Sequence, residues 1–279
     1  MIDFTGKVAW VAGAARRPGI GRATAIQLAR LGADVACVDV VDEKAAADPD
    51  QAYAVTNEAL ASTAAAVEAQ GRRALVCAVD LADADAVAAS VKETVARLGG
   101  VHISCNLSGG TGPLLGNGAL LHLDPAAFRA ALDANLLTVW LGSQACARQM
   151  VEQGSGGAVV NLSSSAGITG SAGFGAFSAA RAGVIRLTEV LAAELGPEGI
   201  RVNAVCPRGI APGDGGGNPG LVRGATREAG DLDEWARRTI PLGRLQTAEE
   251  TAAVIVFLAS DAASFVSGQA ITVAGGAHV

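Results

Sequence analysis

A glycine-rich turn near the N-terminus carries the first residues whose types and spacing could do chemistry. Gly13, Gly19 and Gly21 follow an apolar run at residues 8–12 and lead directly into a predicted helix that begins at Ile20. Glycines in such a turn let the backbone approach a pyrophosphate, which binds the free N–H groups and the positive dipole end of the helix. The turn therefore predicts a dinucleotide site.

An acidic residue at the end of the next predicted strand indicates which dinucleotide binds. Asp39 lies roughly 20 residues beyond the glycines, the spacing of a carboxylate that accepts hydrogen bonds from the adenosine ribose hydroxyls. Such a carboxylate repels a 2′-phosphate, so NAD is favoured over NADP. Arg16 and Arg17 favour the opposite choice, because a guanidinium near the ribose can pair with a phosphate. A purely structural glycine turn with a solvated Asp39 is the alternative interpretation.

The elements that must position these residues alternate regularly along the chain. Short apolar runs predict strands buried on both faces, as parallel sheets require, at residues 8–12, 33–40, 74–79, 101–107, 158–162, 202–205 and 270–273. Segments with helical periodicity fall between them, at residues 20–30, about 55–70, 83–98, 125–151, 174–195 and 248–258. We therefore expect one α/β domain over residues 1–279, a Rossmann-type doubly wound parallel sheet with helices on both faces.

Two segments depart from this alternation. Residues 42–54 form an insert after the second predicted strand. A glycine- and proline-rich stretch, about 208–240, follows the sixth strand at the carboxyl edge, where open α/β sheets bind ligands. A loop this long in a compact domain is usually a lid, a binding loop or disordered. We expect a substrate lid, with a plain flexible loop as the alternative.

Composition excludes several classes of protein. The 279 residues are 50% hydrophobic and 17% charged, so the chain is too apolar to be disordered. A net charge of −6 gives no general attraction to nucleic acid or anionic membranes. Five scattered cysteines without a CxxC pair fit a reducing compartment and predict no metal site. The N-terminus lacks the apolar region of a signal peptide, and no apolar stretch is long enough to span a bilayer, so we expect a cytoplasmic protein.

A short motif follows each of several later predicted strands, and the order of these motifs along the chain is typical of one enzyme family. Asp80 and Leu81 follow the third strand, the sequence Asn-Leu-Ser-Gly at 106–109 follows the fourth, and the fifth strand leads to Ser164. Asn135 lies in a helix between the fourth and fifth strands. With the glycine turn, these motifs make the chain resemble the short-chain dehydrogenase/reductase family over essentially its whole length.

The resemblance implies roles for residues that spacing alone does not assign. It implies that Asp80 contacts adenine, that Asn135 holds a water of a proton relay, and that Ser164 is the catalytic serine. It assigns further residues to the cofactor site: Leu81, Asn106, Ser108, Gly109, Arg181, Pro207, Gly209 and Ile210. The insert at 42–54 is similar to those of NAD-dependent members that act on terpene alcohols.

The catalytic pair of the family is where the sequence departs from its pattern. The family carries YxxxK beyond the serine, with the tyrosine as proton donor or acceptor and the lysine lowering the tyrosine pKa. Phe177 and Arg181 hold those two positions here, one helical turn apart on the same helix face. Phe177 has no proton to transfer, and Arg181 keeps a charge that cannot be deprotonated in a relay.

Other proton donors are few. Tyr53, the single tyrosine, lies in the insert at 42–54 and cannot be moved into the site without breaking the alignment. His102, His122 and His278 are the remaining general-acid candidates near pH 7. His102 lies at the start of a strand, His122 in a loop and His278 next to the C-terminus. We therefore expect all three to be surface residues. A lesser alternative lets His278 enter the pocket of a neighbouring subunit.

Three functions are therefore compatible with the sequence. In the first, an NAD(H)-dependent oxidoreductase acts on an alcohol or ketone, with Ser164, Asn135 and water, or the substrate itself, relaying the proton. In the second, the pocket performs non-redox chemistry, as in the related halohydrin dehalogenases, or an isomerase or cyclase reaction. In the third, the protein binds NAD(H) without turnover. The first is favoured, because the residues of the nucleotide site are retained.

The remaining expectations concern partners. We expect a small or medium apolar alcohol or ketone as substrate, and neither nucleic acid nor membrane as partner. The resemblance implies a homotetramer or homodimer built from the helix that carries Phe177 and from the C-terminal strand. The apolar residues of that helix, Val184, Leu187, Val190 and Leu191, support this only weakly, because they could equally be core.

Overall fold

A seven-stranded parallel sheet lies at the centre of the computed structural model, which describes residues 2–43, 55–211 and 230–277. Its strands are β1 (Val8–Ala12), β2 (Asp34–Asp39), β3 (Ala74–Ala78), β4 (Ile103–Asn106), β5 (Gly157–Leu162), β6 (Ile200–Pro207) and β7 (Ala270–Val273). The spatial order is β3-β2-β1-β4-β5-β6-β7, and every neighbouring pair is parallel. The predicted single-domain doubly wound fold is confirmed, with a switch point between β1 and β4.

Helices connect successive strands on both faces of the sheet. They are α1 (Ile20–Arg30), α2 (Asn57–Glu68), α3 (Ala84–Leu98), α4 (Pro125–Leu132), α5 (Thr138–Gln153), α6 (Gly175–Leu195), α7 (Leu232–Thr239) and α8 (Ala248–Ala259). The single helix predicted over 125–151 is interrupted, because a π-helical segment, Asp133–Leu137, joins α4 to α5. π-helical turns inside helices are uncommon and often occur at functional sites.

Burial on both faces explains why the strands lack polar alternation. Along β1, Ala9 and Val11 pack against one hydrophobic cluster while Trp10 and Ala12 pack against the other. The first cluster is closed by α1, α2 and α8, and the second by α3, α5 and α6. Because successive side chains of a strand point to opposite faces, every residue of β1 is apolar and buried.

Helix α7 lies inside the segment that the sequence analysis assigned to a glycine-rich lid loop. The Asp231 side chain caps its first turn by accepting a hydrogen bond from Glu234 N at 2.7 Å. Trp235 and Ala236 are buried against Ile240, which gives this polar helix a small apolar face. Part of the expected loop is thus helical, while its glycine-rich centre, 212–229, lies outside the described residues.

The apolar residues of α6 do not form one continuous exposed face. Val184 is fully buried, and Leu191 packs against the cluster around Trp10. Val190 is 53% exposed. The set offered as a subunit contact therefore divides between the core and the surface.

The described ranges also bear on membrane and metal binding. No helix within residues 2–43, 55–211 and 230–277 is long and apolar enough to cross a membrane. No group of three or more His, Cys, Asp or Glu side chains in these ranges could hold a metal ion. All five cysteines are buried free thiols, and burial raises the pKa of Cys37, Cys77 and Cys146 to about 12.

Candidate active site

The turn between β1 and α1 fits closely against the end of β4. Gly13 has a φ of +78°, and a Cβ there would lie 2.8 Å from the carbonyl carbon and oxygen of Leu107. A Cβ on Gly21 would overlap the carbonyl oxygen of Gly13. Among the described residues, no side chain caps the start of α1 and its first turn carries no acidic residue. Backbone N–H groups and a positive dipole end thus face a narrow cradle that fits a pyrophosphate.

Polar side chains of α1 and α2 form hydrogen bonds that stabilise this turn. The hydroxyl of Thr63 donates to the carbonyl of Ala14 at 2.8 Å. Arg22 donates to the hydroxyls of Thr63 and Ser62, at 2.9 and 3.2 Å. Helix α2 therefore fixes the position of the glycine turn, although it lies far along the chain.

Asp39 ends β2 beside the same turn. Its side chain is almost fully buried, and its two oxygens accept hydrogen bonds from Ala15 N at 2.8 Å and Val40 N at 2.9 Å. Burial raises the pKa of Asp39 to about 6, while these hydrogen bonds and the charge of Arg16 act in the opposite direction. Each carboxylate oxygen keeps a further lone pair, so Asp39 can accept a hydrogen bond from a ribose hydroxyl.

One cleft of about 480 Å³ extends along the carboxyl ends of the strands, where open α/β sheets bind ligands. Most predicted site residues line it: Gly13, Arg16, Gly19, Ile20, Gly21, Asp39, Ser108, Gly109, Ser164, Phe177, Arg181, Pro207, Gly209 and Ile210. The fold thus brings predicted nucleotide residues and predicted catalytic residues into one continuous space.

Five predicted residues do not line the cleft: Arg17, Asp80, Leu81, Asn106 and Asn135. The Asp80 carboxylate accepts from Ala82 N within its own turn, and Leu81 is completely buried. Asn106 lies in a buried network, donating to Asn161 Oδ1 at 2.9 Å and to Ser143 Oγ at 3.0 Å. This network ties β4 to β5 and α5 beneath the cleft.

Asn135 does not line the cleft itself, but its side chain forms hydrogen bonds with the backbone of Gly110, which does. It is fully buried in the π-helical segment, and its side chain both donates to Gly110 O at 3.0 Å and accepts from Gly110 N at 2.9 Å. A further hydrogen bond runs from its amide to Ala131 O. The side chain therefore clamps the segment after β4, which forms one wall of the cleft.

Ser164 lies directly beyond β5 with its side chain at the cleft. Its hydroxyl oxygen accepts from Ala166 N at 3.2 Å and caps a short 3₁₀ turn, Ser165–Gly167. The hydroxyl hydrogen can still be donated to a ligand. The adjacent Ser163 donates to the carbonyl of Arg181 at 2.8 Å, which fixes α6 against β5.

Phe177 and Arg181 lie on the cleft face of α6. The Arg181 guanidinium carbon is 5.3 Å from the centre of the Phe177 ring, a cation–π contact. The guanidinium donates to the carbonyls of Leu162 and Ser108, so it joins the ends of β5 and β4. Arg181 is only 3% exposed, which places a permanent positive charge in the cleft wall.

Proton donors are scarce in this space. Among the described lining residues there is no Tyr, His, Lys, Cys or Glu, and the only carboxyl group is that of Asp39. His102 accepts a hydrogen bond from Val8 N at the other edge of the sheet, and burial lowers its pKa. His122 is exposed in a 3₁₀ turn, Leu120–His122. Tyr53 and His278 lie outside the described residues.

Some lining residues were not found by sequence reasoning. They are contributed by the segment after β5, by the end of β6 and by α7, and include Phe174, Arg208, Trp235 and Thr239. Arg208 could have been noticed, because a charged residue stands between Pro207 and Gly209 of a predicted binding segment. Trp235 carries no such local signal, since α7 reaches the cleft only through the tertiary fold.

Fold and site together define a dinucleotide-binding α/β enzyme, and comparison with known proteins gives its family. A sequence profile described as "Enoyl-(Acyl carrier protein) reductase" matches residues 13–278. The chain is 38% identical over 273 residues to cis-4-hydroxycyclohexanecarboxylate dehydrogenase of Sinomonas cyclohexanicum, covering 98% of this chain and 97% of the relative. It is 33% identical over 276 residues to 2,5-dichloro-2,5-cyclohexadiene-1,4-diol dehydrogenase of Sphingobium indicum, covering 99% and 98%.

A solved structure shows the same architecture. Carveol dehydrogenase from Mycobacterium avium in complex with NAD superposes with a TM-score of 0.89 at 30% identity, covering 99% of both chains. The chain belongs to the short-chain dehydrogenase/reductase family and is an enzyme of that family.

Proposed function

We propose that the protein is an NAD(H)-dependent oxidoreductase that interconverts a cyclic secondary alcohol and its ketone. The observation that carries this proposal is the single cleft that joins the glycine turn and the buried Asp39 to Ser164. Two relatives are dehydrogenases of alcohols that contain a six-membered carbon ring, and a third was solved in complex with NAD. Bound NAD supplies hydride-transfer chemistry, and the protein supplies its binding and the handling of the hydroxyl proton.

Asp39 supports the choice of NAD over NADP. Its buried carboxylate keeps lone pairs for a ribose hydroxyl and would face a 2′-phosphate across a short distance in a low-dielectric site. Arg16 lines the same cleft and offsets part of that repulsion. We therefore propose NAD as the working cofactor, with NADP bound more weakly.

We propose that Phe177 and Arg181 occupy the positions of the catalytic tyrosine and lysine of the family. Ser164 then becomes the hydroxyl that orients the substrate oxygen. Because the fixed charge of Arg181 lies in the cleft wall, it stabilises negative charge that develops on that oxygen. The proton leaves through the hydroxyl of Ser164 and water, while Asn135 holds the adjoining wall through Gly110.

Other parts of the proposal concern the surroundings of the site. Phe174, Phe177, Ile210 and Trp235 give the cleft apolar walls that suit a carbocyclic ring. We propose that the segment 208–240 covers a bound substrate. A homodimer or homotetramer, and a cytoplasmic location, are proposed by analogy with the family.

A double substitution tests the proposed chemistry. We expect Phe177→Tyr with Arg181→Lys to raise kcat for cyclohexanol oxidation by about 10²-fold, the gain typical of a positioned acid–base group. Phe257→Tyr is the matched control, because Phe257 is 40% exposed on α8, away from the lining residues. NADH and NADPH titrations of the parent protein, followed by fluorescence, accompany the kinetics.

The outcomes separate the alternatives. Tight NADH binding with turnover of a ring alcohol supports the proposal. If neither nucleotide binds, cofactor-free chemistry at Ser164 and Arg181 replaces it. If NADH binds and neither the parent nor the double variant turns over any ring alcohol, the cleft holds the nucleotide without this redox reaction.

A further inference from the structure

Arg208 is a positively charged residue that lines the cleft. It belongs to neither the glycine turn nor the Ser164 region, and the proposed function gives it no role. It directly follows β6, and its backbone is held firmly: its N–H donates to Val273 O at 3.0 Å, and its carbonyl accepts from Gln246 Nε2 at 2.7 Å. Gln246 is itself fixed by Thr251, whose hydroxyl donates to Gln246 Oε1 at 2.6 Å. The base of the Arg208 side chain is therefore rigidly placed at the cleft.

The guanidinium of Arg208 lies against the ring of Trp235. Its Cζ atom is 5.9 Å from the ring centre, and Trp235 is 8% exposed at the apolar face of α7. A cation–π contact of this kind uses none of the N–H groups of the guanidinium, which stay available to an acceptor in the cleft. The ring thus limits the orientations that Arg208 can adopt.

Within the described residues, Arg208 has no polar partner for its side chain. Its Nε is buried without a hydrogen bond, and its guanidinium forms no ion pair or hydrogen bond in the described ranges. Arg201, on the same strand, differs in this respect, because it donates to the carbonyls of Leu258 and Ser260. A half-buried cation whose side chain has no polar partner among the described residues favours a ligand that brings a negative charge.

The charge distribution along the cleft points to the same conclusion. Asp39 supplies the only carboxylate among the described lining residues, and it ends β2. Because β1, β4 and β5 separate β2 from β6, the ends of these strands are roughly 19 Å apart, four strand spacings. Asp39 is therefore too distant to neutralise Arg208. Arg181 adds a second positive charge near the β5 end.

We propose that Arg208 binds a carboxylate of the substrate, so that the substrate class is a hydroxy or oxo carboxylate built on a carbocyclic ring. This rests on the proposed function, because the ring alcohol must lie between Ser164 and Arg208. A guanidinium pairs with a carboxylate through two parallel hydrogen bonds, and the Trp235 ring beside it limits the positions that the Arg208 guanidinium can take. Arg208 is thus a specificity-determining residue and takes no part in hydride or proton transfer.

The test measures binding of an acid and its neutral isostere. Cyclohexanecarboxylate and cyclohexanecarboxamide are titrated calorimetrically into the NADH-loaded protein, its Arg208→Gln and Arg208→Lys variants, and the control Arg148→Gln. Arg148 is an exposed residue of α5 that does not line the cleft. We expect Arg208→Gln to weaken carboxylate binding by about 10- to 100-fold, the effect of losing a charge-assisted pair. Carboxamide binding and the NADH Kd should change by less than about twofold, and Arg208→Lys should lose less than Arg208→Gln.

A kinetic measurement gives a second readout. With a hydroxycyclohexane carboxylate as substrate, Arg208→Gln should raise KM and leave kcat nearly unchanged, since the pairing is equal in ground and transition states. The neutral amide of that substrate should show no such rise.

Three results would overturn the proposal. Equal weakening of acid and amide would make Arg208 a support for the shape of the cleft. A weakened NADH Kd without a difference between acid and amide would assign Arg208 to the cofactor phosphates. Unchanged binding of all ligands would remove any role in recognition. If the parent protein does not bind NADH, the proposed function fails, and the titrations repeated on the protein alone still decide the role of Arg208.

Discussion

The two ends of the cleft are built on different principles. At the end that we assign to the nucleotide, the cleft is lined largely by the backbone of the glycine turn, where Gly13 and Gly21 leave no room for a Cβ. At the end that we assign to the substrate, the walls are side chains such as Ser164, Phe177 and Arg208. Because side chains can be exchanged without moving the backbone, the substrate end can change its chemistry while the nucleotide end stays intact. A turn shaped to fit a pyrophosphate can therefore adjoin a cleft whose described lining residues include so few proton donors.

The strongest test of this contrast is at the glycine turn. Gly21→Ala places a Cβ against the carbonyl oxygen of Gly13, so the backbone of the turn must shift. We expect NADH binding to weaken by at least about 100-fold, and the free energy of unfolding to fall by about 1–3 kcal/mol. Titration with NADH and urea unfolding measure the two effects.

Gly196→Ala is the matched control for that substitution. Gly196 is exposed after α6, has negative φ, and a Cβ there meets no atom within 4 Å. NADH binding to this variant should equal that of the parent. Equal binding by Gly21→Ala would show that the nucleotide end tolerates change as well as the substrate end does, and the comparison would fail.

The next effect is expected at the substrate end, on kcat and not on NADH binding. Ser164→Ala removes the hydroxyl that we assign to the substrate oxygen, and should lower kcat by about 10²-fold with an unchanged NADH Kd. Ser155→Ala, at an exposed position beyond α5, is the control. A Ser164→Ala variant with parental kcat would remove Ser164 from the reaction and leave Arg181 as the main polar group of this end.

The smallest effect is a pH dependence of nucleotide binding. Asp39 has a pKa of about 6, raised by burial, and its ionised form accepts the stronger hydrogen bond from a ribose hydroxyl. NADH affinity should therefore rise as pH increases through 6, by about fivefold to tenfold between pH 5 and 7. Asp39→Asn should flatten the profile, because the amide does not titrate. A parental profile that is flat as well would separate Asp39 from the ribose.

The raised pKa of the Asp39 carboxyl also makes the stability of the folded protein depend on pH. Since the folded-state pKa is above the unfolded value of 3.8, the folded protein holds the proton more tightly than the unfolded chain. The contribution of Asp39 to stability is therefore largest below pH 3.8 and is lost as pH rises through about 6. Chemical unfolding of the Asp39→Asn variant across this range isolates that contribution.

Features encoded by neighbouring residues were predictable. The strands followed from short apolar runs, and the turn from Gly13 to Gly21 followed from glycines placed between a strand and a helix. The position of Asp39 at the end of β2 and beside this turn also followed, whereas its contact with a ribose stays a prediction. The positions were predictable because the controlling interactions are local, or are set by burial of both sheet faces.

Features that depend on distant partners were not predictable. The helical stretch 232–239 has only a small apolar face, and Trp235 reaches the cleft because it lies beside Arg208 and Gly209, which directly follow β6. The contact of the Asn135 side chain with Gly110 had no signal in the sequence, and its role in holding a relay water stays a prediction. Which hydrogen-bond partner a buried polar group takes depends on which elements meet there, and spacing along the chain does not state it.

By itself, the sequence determined a parallel α/β sheet and a glycine turn between β1 and α1, and it predicts a dinucleotide site at that turn and a catalytic segment in which Phe177 and Arg181 replace tyrosine and lysine. Only the tertiary structure decided that Arg181 would be held between two strand ends, and that Arg208 would lie on Trp235 without a polar partner in the described ranges. The physical reason is that a residue type sets whether a group is charged, whereas the groups packed around it determine where that charge acts.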